Sequence, residues 1–129
     1  MLLFGHHLFN ESTLYHISEI EAIRHTPSNS ILYIDYSENA IDIIKHCQEN
    51  SLLFALHVKR LKEVIFAHNF HAQFIVVDES IAQMAQKAAD NYLFDAKILC
   101  MIEEESSIET LANLGIDGII YAEAIVKIS

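Results

Sequence analysis

Four carboxylates and one imidazole stand at the ends of the apolar runs in this chain. Asp35 closes ILYID (Ile31–Asp35), His57 closes LLFALH (Leu52–His57) and Asp78 closes FIVVD (Phe74–Asp78). Glu103 follows ILCMI (Ile98–Ile102), and Glu123 closes GIIYAE (Gly118–Glu123). Carboxylates gathered on one edge could hold a hard divalent cation such as magnesium, with Asp35, Asp78 and Glu103 as oxygen ligands. His57 beside Asp78 could form an acid–base couple with His57 as the base. The competing reading is electrostatic: acids favour helix N-termini, and Glu38, Asp78, Glu79 and Glu103 to Glu105 would then only complement helix dipoles.

Those residues fall on one edge only if the apolar runs are parallel strands. The runs recur about every 22 residues, each followed by an amphipathic stretch, which is the rhythm of strand and helix in alternation. Open parallel sheets place their ligands at the carboxyl ends of the strands. The best helix pattern runs from Ile81 to Leu93, where Ile81, Met84, Ala85, Ala88, Ala89, Tyr92 and Leu93 form one apolar stripe. Shorter stripes follow Ser37 (Ile41, Ile44, Cys47), include Leu61, Val64, Ile65 and His68, and end with Ile108, Leu111 and Ala112. Gly115 is the expected left-handed stop of the last helix, and Ser106 with Glu109 has the spacing of a capping box.

Ahead of these units lies a front section, residues 1–30, closed by the loop around Pro27. MLLFGHHL and TLYHI read as two strands joined through Phe9-Asn10-Glu11-Ser12, and Ser18 with Glu21 suggests a capped short helix. The section is expected to add an edge strand or hairpin and a covering helix to the main sheet. The tail from Ala124 fits either a helical turn or a strand.

Composition narrows the partners. The chain has 129 residues, enough for one domain spanning 1–129, and is 52% apolar, as expected for strands covered on both faces. Eighteen acidic against eight basic residues give a net charge of −10, which repels phosphate backbones and argues against nucleic acid. No run approaches the ~18 apolar residues of a membrane span, and MLLF lacks the features of a signal peptide. A cytoplasmic protein with no membrane partner is expected. Cys47 and Cys100 have no CxxC partner and read as reduced core thiols.

The familiar phosphate and nucleophile motifs are missing. The chain holds three glycines and no GxGxxG, GxxxxGK[ST] or GxSxG, so nucleotide phosphates have no glycine turn and a serine nucleophile has no elbow. His6 and His7, adjacent on a presumed strand, should point to opposite faces and could not share an ion. His68 and His71 are three apart near a helix end, but two ligands make a poor zinc site.

ILYIDYSENAIDII resembles the first strand and helix of a response-regulator receiver domain, AQFIVVDES its third strand, and LANLGIDGIIYAEA its last helix, turn and fifth strand. The resemblance covers Ile31 to about Lys127. It implies a phosphoacceptor at Asp78 and a magnesium-binding acid at Asp35. Tyr36 replaces the second acid of the family's usual pair, Ile102 stands near the expected hydroxyl residue, and Ala122-Glu123 replaces the lysine–proline of the fifth strand. A glutamate there would repel a phosphoryl group.

The resulting expectation is a three-layer α/β sandwich with a mostly parallel, five-stranded flavodoxin-like sheet plus an N-terminal strand or hairpin. The expected function is a non-catalytic regulatory module similar to a degenerate receiver, without cofactor, acting through a protein partner or as a homodimer. The alternatives are a small magnesium-dependent hydrolase- or lyase-like enzyme at the acidic edge, and a small-molecule sensor. Strand order is decisive: a receiver-like order of 2-1-3-4-5 makes the strands of Asp35 and Asp78 neighbours, whereas a barrel-like sequential order puts LLFALH between them.

Overall fold

A computed structural model describes residues 1–9 and 13–128. Each apolar run forms a strand: β3 (Ile31–Asp35), β4 (Phe54–His57), β5 (Phe74–Asp78), β6 (Lys97–Met101) and β7 (Gly118–Ile120). Between them lie helices α1 (Ile41–Glu49), α2 (Leu61–Asn69), α3 (Glu79–Asn91) and α4 (Ser107–Asn113). Three further strands are short: β1 (Leu2–Phe4), β2 (Leu14–His16) and β8 (Ile125–Lys127). Among the described residues the sheet therefore has eight strands rather than five, in the order β1-β7-β6-β5-β4-β3-β2-β8, with every pair parallel.

From β3 to β7 each strand lies beside its predecessor, so the order is the sequential one and not 2-1-3-4-5. Right-handed crossovers that always step in one direction put every helix on the same face of the sheet. The core reflects this. One cluster joins helix residues such as Ile44, Val64, Ala85 and Leu111 to Ile34, Leu56, Ile75, Cys100 and Ile119 on the strands. The second cluster draws on every strand (Phe4, Leu14, Tyr33, Ala55, Phe74, Leu99, Ile120 and Ile125 among them) and on no α-helix.

A sheet face that meets no helix must bury itself by curling. Strands β7 and β8 are six positions apart in the sheet, about 29 Å if it were flat at ~4.8 Å per strand. Ile120 and Ile125 are five residues apart, which spans at most about 18 Å. The sheet is accordingly a curled half-barrel, and Phe4 on β1 reaches Phe74 on β5 across its concave side, with ring centroids 5.3 Å apart. The expected three-layer sandwich is replaced by helices outside and a strand-lined interior.

The front section does not form a hairpin. β1 pairs with β7 and β2 lies between β3 and β8, both parallel. Their connection includes Asn10 to Ser12, which lie outside the described residues. Gly5 has φ +85° and packs so closely that a Cβ would lie 3.0 Å from the Ala124 nitrogen, holding the end of β1 against the β7–β8 link. The residues after Ser18 form a 3-10 helix, Ile20–His25, capped by Glu19 without a side-chain hydrogen bond; Ser106 likewise makes no cap bond to α4. Gly115 does take the left-handed conformation after α4, with φ +74°.

The buried side of α3 is Ala82, Ala85, Gln86 and Ala89, rotated from the apolar stripe: Met84, Tyr92 and Leu93 are exposed. Small residues let the helix sit close to the sheet. Gln86 fits there because its amide is satisfied, accepting from the Asp117 N–H and donating to Asp90. Cys47 and Cys100 are buried free thiols, and burial pushes them up to about 11 and about 12 respectively. Among the described residues no helix is long and apolar enough to cross a membrane.

Candidate functional site

Strand alternation decides which side chains reach the concave face. On β3, Leu32 and Ile34 face the helices, so Tyr33 and Asp35 face inward. The same alternation puts His57 after Ala55 on β4, Asp78 after Val76 on β5, and His16 after Leu14 on β2. Register then aligns them at the carboxyl end: His16 pairs with Tyr33, and Asp35 with His57. Polar side chains thus stand in a layer over an apolar interior, at the edge where parallel sheets bind ligands.

These groups form one connected chain. Asp35 Oδ2 is 2.9 Å from His16 Nε2, and its Oδ1 is 3.6 Å from His57 Nδ1. The Tyr33 hydroxyl is 2.5 Å from that same Nδ1. On the opposite side of the ring, His57 Nε2 is 3.2 Å from Asp78 Oδ1. Lys59, two residues beyond β4, donates from Nζ to Asp78 Oδ2 at 3.0 Å and stands 3.4 Å from His57 Nε2.

Exposure differs sharply along this chain. The His57 side chain is only 11% exposed and has a partner at each nitrogen, whereas Asp78 and Lys59 are 44% and 64% exposed. Asp35, at 61%, is exposed as well, so the solvent-facing groups are Asp35 on one side and Asp78 with Lys59 on the other, and the imidazole stands behind them. Partial burial opposes ionisation of Asp78, but hydrogen bonds from Lys59 and His57, with their charge, outweigh it and hold the carboxyl below its ordinary value. Burial, reinforced by Asp35 and Asp78, pushes the Tyr33 phenol well above its ordinary value.

Asp78 opens onto a cavity of about 390 Å³ lined also by Glu79, Met101, Ile102, Glu103, Glu104 and Ser107. Glu103 also lines a neighbouring cavity of about 340 Å³, with Gly5, His6, His7, Glu105, Tyr121 and Glu123. There His6 is buried, hydrogen-bonded through Nε2 to Glu105 at 2.9 Å, and its Nδ1 accepts from the Leu8 N–H. The hydrogen bond from His6 and its charge hold the Glu105 carboxyl below its ordinary value.

Several sequence expectations meet a different geometry. Asp35 and Asp78 are not neighbours but face His57 from opposite sides. Glu103 lies in the cavity beside Asp78, and among the described residues no three His, Cys, Asp or Glu side chains are grouped as a bound metal requires. His6 and His7 follow the strand rather than extend it, and their rings stack at 4.6 Å instead of pointing apart. Tyr36 packs with Phe66 and Phe70 in the helix layer. Glu123 lines the His6 cavity, and Lys59 supplies the cation beside Asp78. His68 stacks on Phe94 at 3.9 Å, far along the strands from Asp78.

Sequence reasoning missed Tyr33, His16 and Lys59. Tyr33 was legible, since it lies two residues before Asp35 on one strand and so shares its face. His16 required the pairing of β2 with β3. Lys59 sits in a connection and carries no periodic signal.

No protein-family model matches this chain, and no curated protein is significantly similar to it.

Proposed function

We propose that the chain is a small acid–base enzyme that removes a proton from carbon beside a carbonyl group, with Asp78 as base and Lys59 as the electrophilic partner. The observation that carries this reading is the Asp78–Lys59 pair: 3.0 Å apart and both open to solvent, with Asp78 also lining a cavity at the carboxyl edge of the sheet. Enolisation needs a base for the C–H proton and a cation for the oxygen that becomes negative. In the step, the C–H bond breaks, its proton passes to a carboxylate oxygen of Asp78, and the electron pair moves onto the carbonyl oxygen, where Lys59 donates a hydrogen bond. A lowered carboxyl is a weak base. When the substrate oxygen draws Lys59 away, Asp78 loses part of that charge support and becomes more basic as the proton is taken. His57 meets Asp78 rather than substrate and acts by orienting it.

The test uses deuterated water. A panel of small keto acids, hydroxy aldehydes and hydroxy ketones is incubated with the protein and followed by proton NMR for deuterium uptake beside the carbonyl. The reading expects uptake in at least one compound with wild type and its loss in Asp78→Asn. Uptake by no compound, or equal uptake with Asp78→Asn, counts against it.

A second reading keeps the regulatory module resembling a receiver, with Asp78 as phosphoacceptor and a basic protein partner drawn by the net charge. The observation favouring it is again Lys59, a cation placed where a phosphoryl group on Asp78 would need one. Acetyl phosphate followed by intact-mass measurement decides this reading: gain of one phosphoryl group in wild type, absent in Asp78→Asn, supports it, and an unchanged mass removes it.

A further inference from the structure

We infer that Tyr33 is a positioning residue that fixes His57 with its proton on Nε2 and so aims that N–H at Asp78. This rests on the catalytic reading above only for its purpose; the geometry stands by itself. His57 is held between two acids whose ionised carboxylates can only accept hydrogen bonds. Nε2 has Asp78 Oδ1 at 3.2 Å and the donor-only Lys59 ammonium at 3.4 Å; the carboxylate is nearer, and the ammonium already donates to Asp78 Oδ2 at 3.0 Å, which places the proton on Nε2. In the neutral ring Nδ1 must then accept, and the group nearest to it that has a proton to give is the Tyr33 hydroxyl, at 2.5 Å. Asp35, at 3.6 Å from Nδ1, cannot donate and has its closer contact with His16.

Tyr33 is suited to this use. It is 3% exposed, its backbone is fixed by pairing with both β2 and β4, and His16 meets its ring edge-on with centroids 5.1 Å apart. Burial raises the phenol above its ordinary value, so at neutral pH it remains a donor while Asp78 is ionised. The hydroxyl lies at the mouth while the ring belongs to the apolar interior beneath it. A phenylalanine would fill the interior equally well, so packing does not call for the oxygen.

Removing the oxygen leaves the Nδ1 lone pair facing the Asp35 carboxylate. The ring is then relieved by carrying a proton on Nδ1, as the other tautomer or as imidazolium. Long-range proton–nitrogen NMR of the full chain reads this directly, with the His57 signals assigned by their absence in His57→Gln. Wild type at neutral pH should show Nε2 protonated and Nδ1 unprotonated. Tyr33→Phe should move the Nδ1 resonance toward the protonated position. As a second measurement that leaves packing in place, 3-fluorotyrosine labelling makes the hydroxyl a stronger donor and should also shift Nδ1, in the direction of stronger hydrogen bonding. A wild-type spectrum with the proton on Nδ1, or no Nδ1 shift in both altered proteins, overturns the assignment. If the ring-nitrogen pattern is as stated but no deuterium uptake occurs, the enolisation reading falls and the role of Tyr33 remains.

Discussion

Asp35 and Asp78 stand on strands two apart and face opposite nitrogens of a single imidazole, at 3.6 and 3.2 Å. That relationship depends on strand order, because β4 has to lie between β3 and β5 for His57 to be enclosed. It brings two separate acids to one imidazole, which is hydrogen-bonded to Tyr33 and Asp78 and meets Asp35 at the longer distance. It also leaves only one of them, Asp78, joined to a lysine at the solvent edge.

The ionisation of Asp78 should appear in stability as a function of pH. Its folded carboxyl titrates below the unfolded value of about 3.9. The contribution is therefore complete above that value and disappears as pH falls through the lowered folded value. Asp78 is 44% exposed, so solvent screening limits the effect to about 0.5 kcal/mol. Urea midpoints measured between neutral pH and the onset of acid unfolding should show wild type losing its margin over Asp78→Asn below about pH 4. A margin independent of pH would contradict the ion pairing.

Gly118 should not tolerate alanine. A Cβ there would lie 2.7 Å from Leu99 Cδ2 and 2.8 Å from Leu2 Cβ, so β1 must move away from β7. Overpacking of this kind costs about 1–3 kcal/mol. Gly118→Ala should lower the urea midpoint and raise amide exchange first in Leu2–Phe4. Unchanged exchange there would show that β1 is not held by this contact.

Gln86 joins α3 to the start of β7. Its Oε1 accepts the Asp117 N–H at 2.9 Å, and the Asp117 carboxylate accepts the Ile98 N–H at 2.9 Å. Gln86→Ala leaves the half-buried Asp117 amide without its partner, a loss of about 1 kcal/mol. Thermal unfolding should register the change, and a shift within error would remove Gln86 from the framework.

Leu93 should be improved by glycine. It has φ +53°, where a side chain costs roughly 1–2 kcal/mol, and it is 83% exposed, so little packing is lost on truncation. After the entropy glycine adds to the unfolded chain, Leu93→Gly should gain about 0.5 kcal/mol. A lower unfolding midpoint would mean that the leucine side chain makes contacts that matter.

The strand ends were legible because buried parallel strands read as short apolar runs, and Ile31–Asp35 and Phe74–Asp78 match their runs residue for residue. The order of those strands was not, since the direction of each crossover depends on which face the helices can cover and leaves no periodic mark. The short strands β1 and β2 fall within the expected MLLFGHHL and TLYHI strands, but their partners β7 and β8 lie far away in sequence and left no local signal. In α3, counting apolar residues selected Met84, Tyr92 and Leu93, while close approach to the sheet selected Ala82 and a hydrogen-bonded Gln86. The candidate site was half legible: Asp35, His57 and Asp78 stood at strand ends, while Lys59 reaches Asp78 only through the turn after β4.

The proposed chemistry meets its most direct test in the deuterium uptake of one responsive carbonyl compound, compared between wild type and Asp78→Asn at neutral pH. Loss of a general base lowers the rate by about 10²–10⁴-fold, so the account predicts uptake that is readily followed with wild type and falls at least about 100-fold in the variant. Uptake within a few-fold of wild type in folded Asp78→Asn, or none with wild type across the panel, would contradict it.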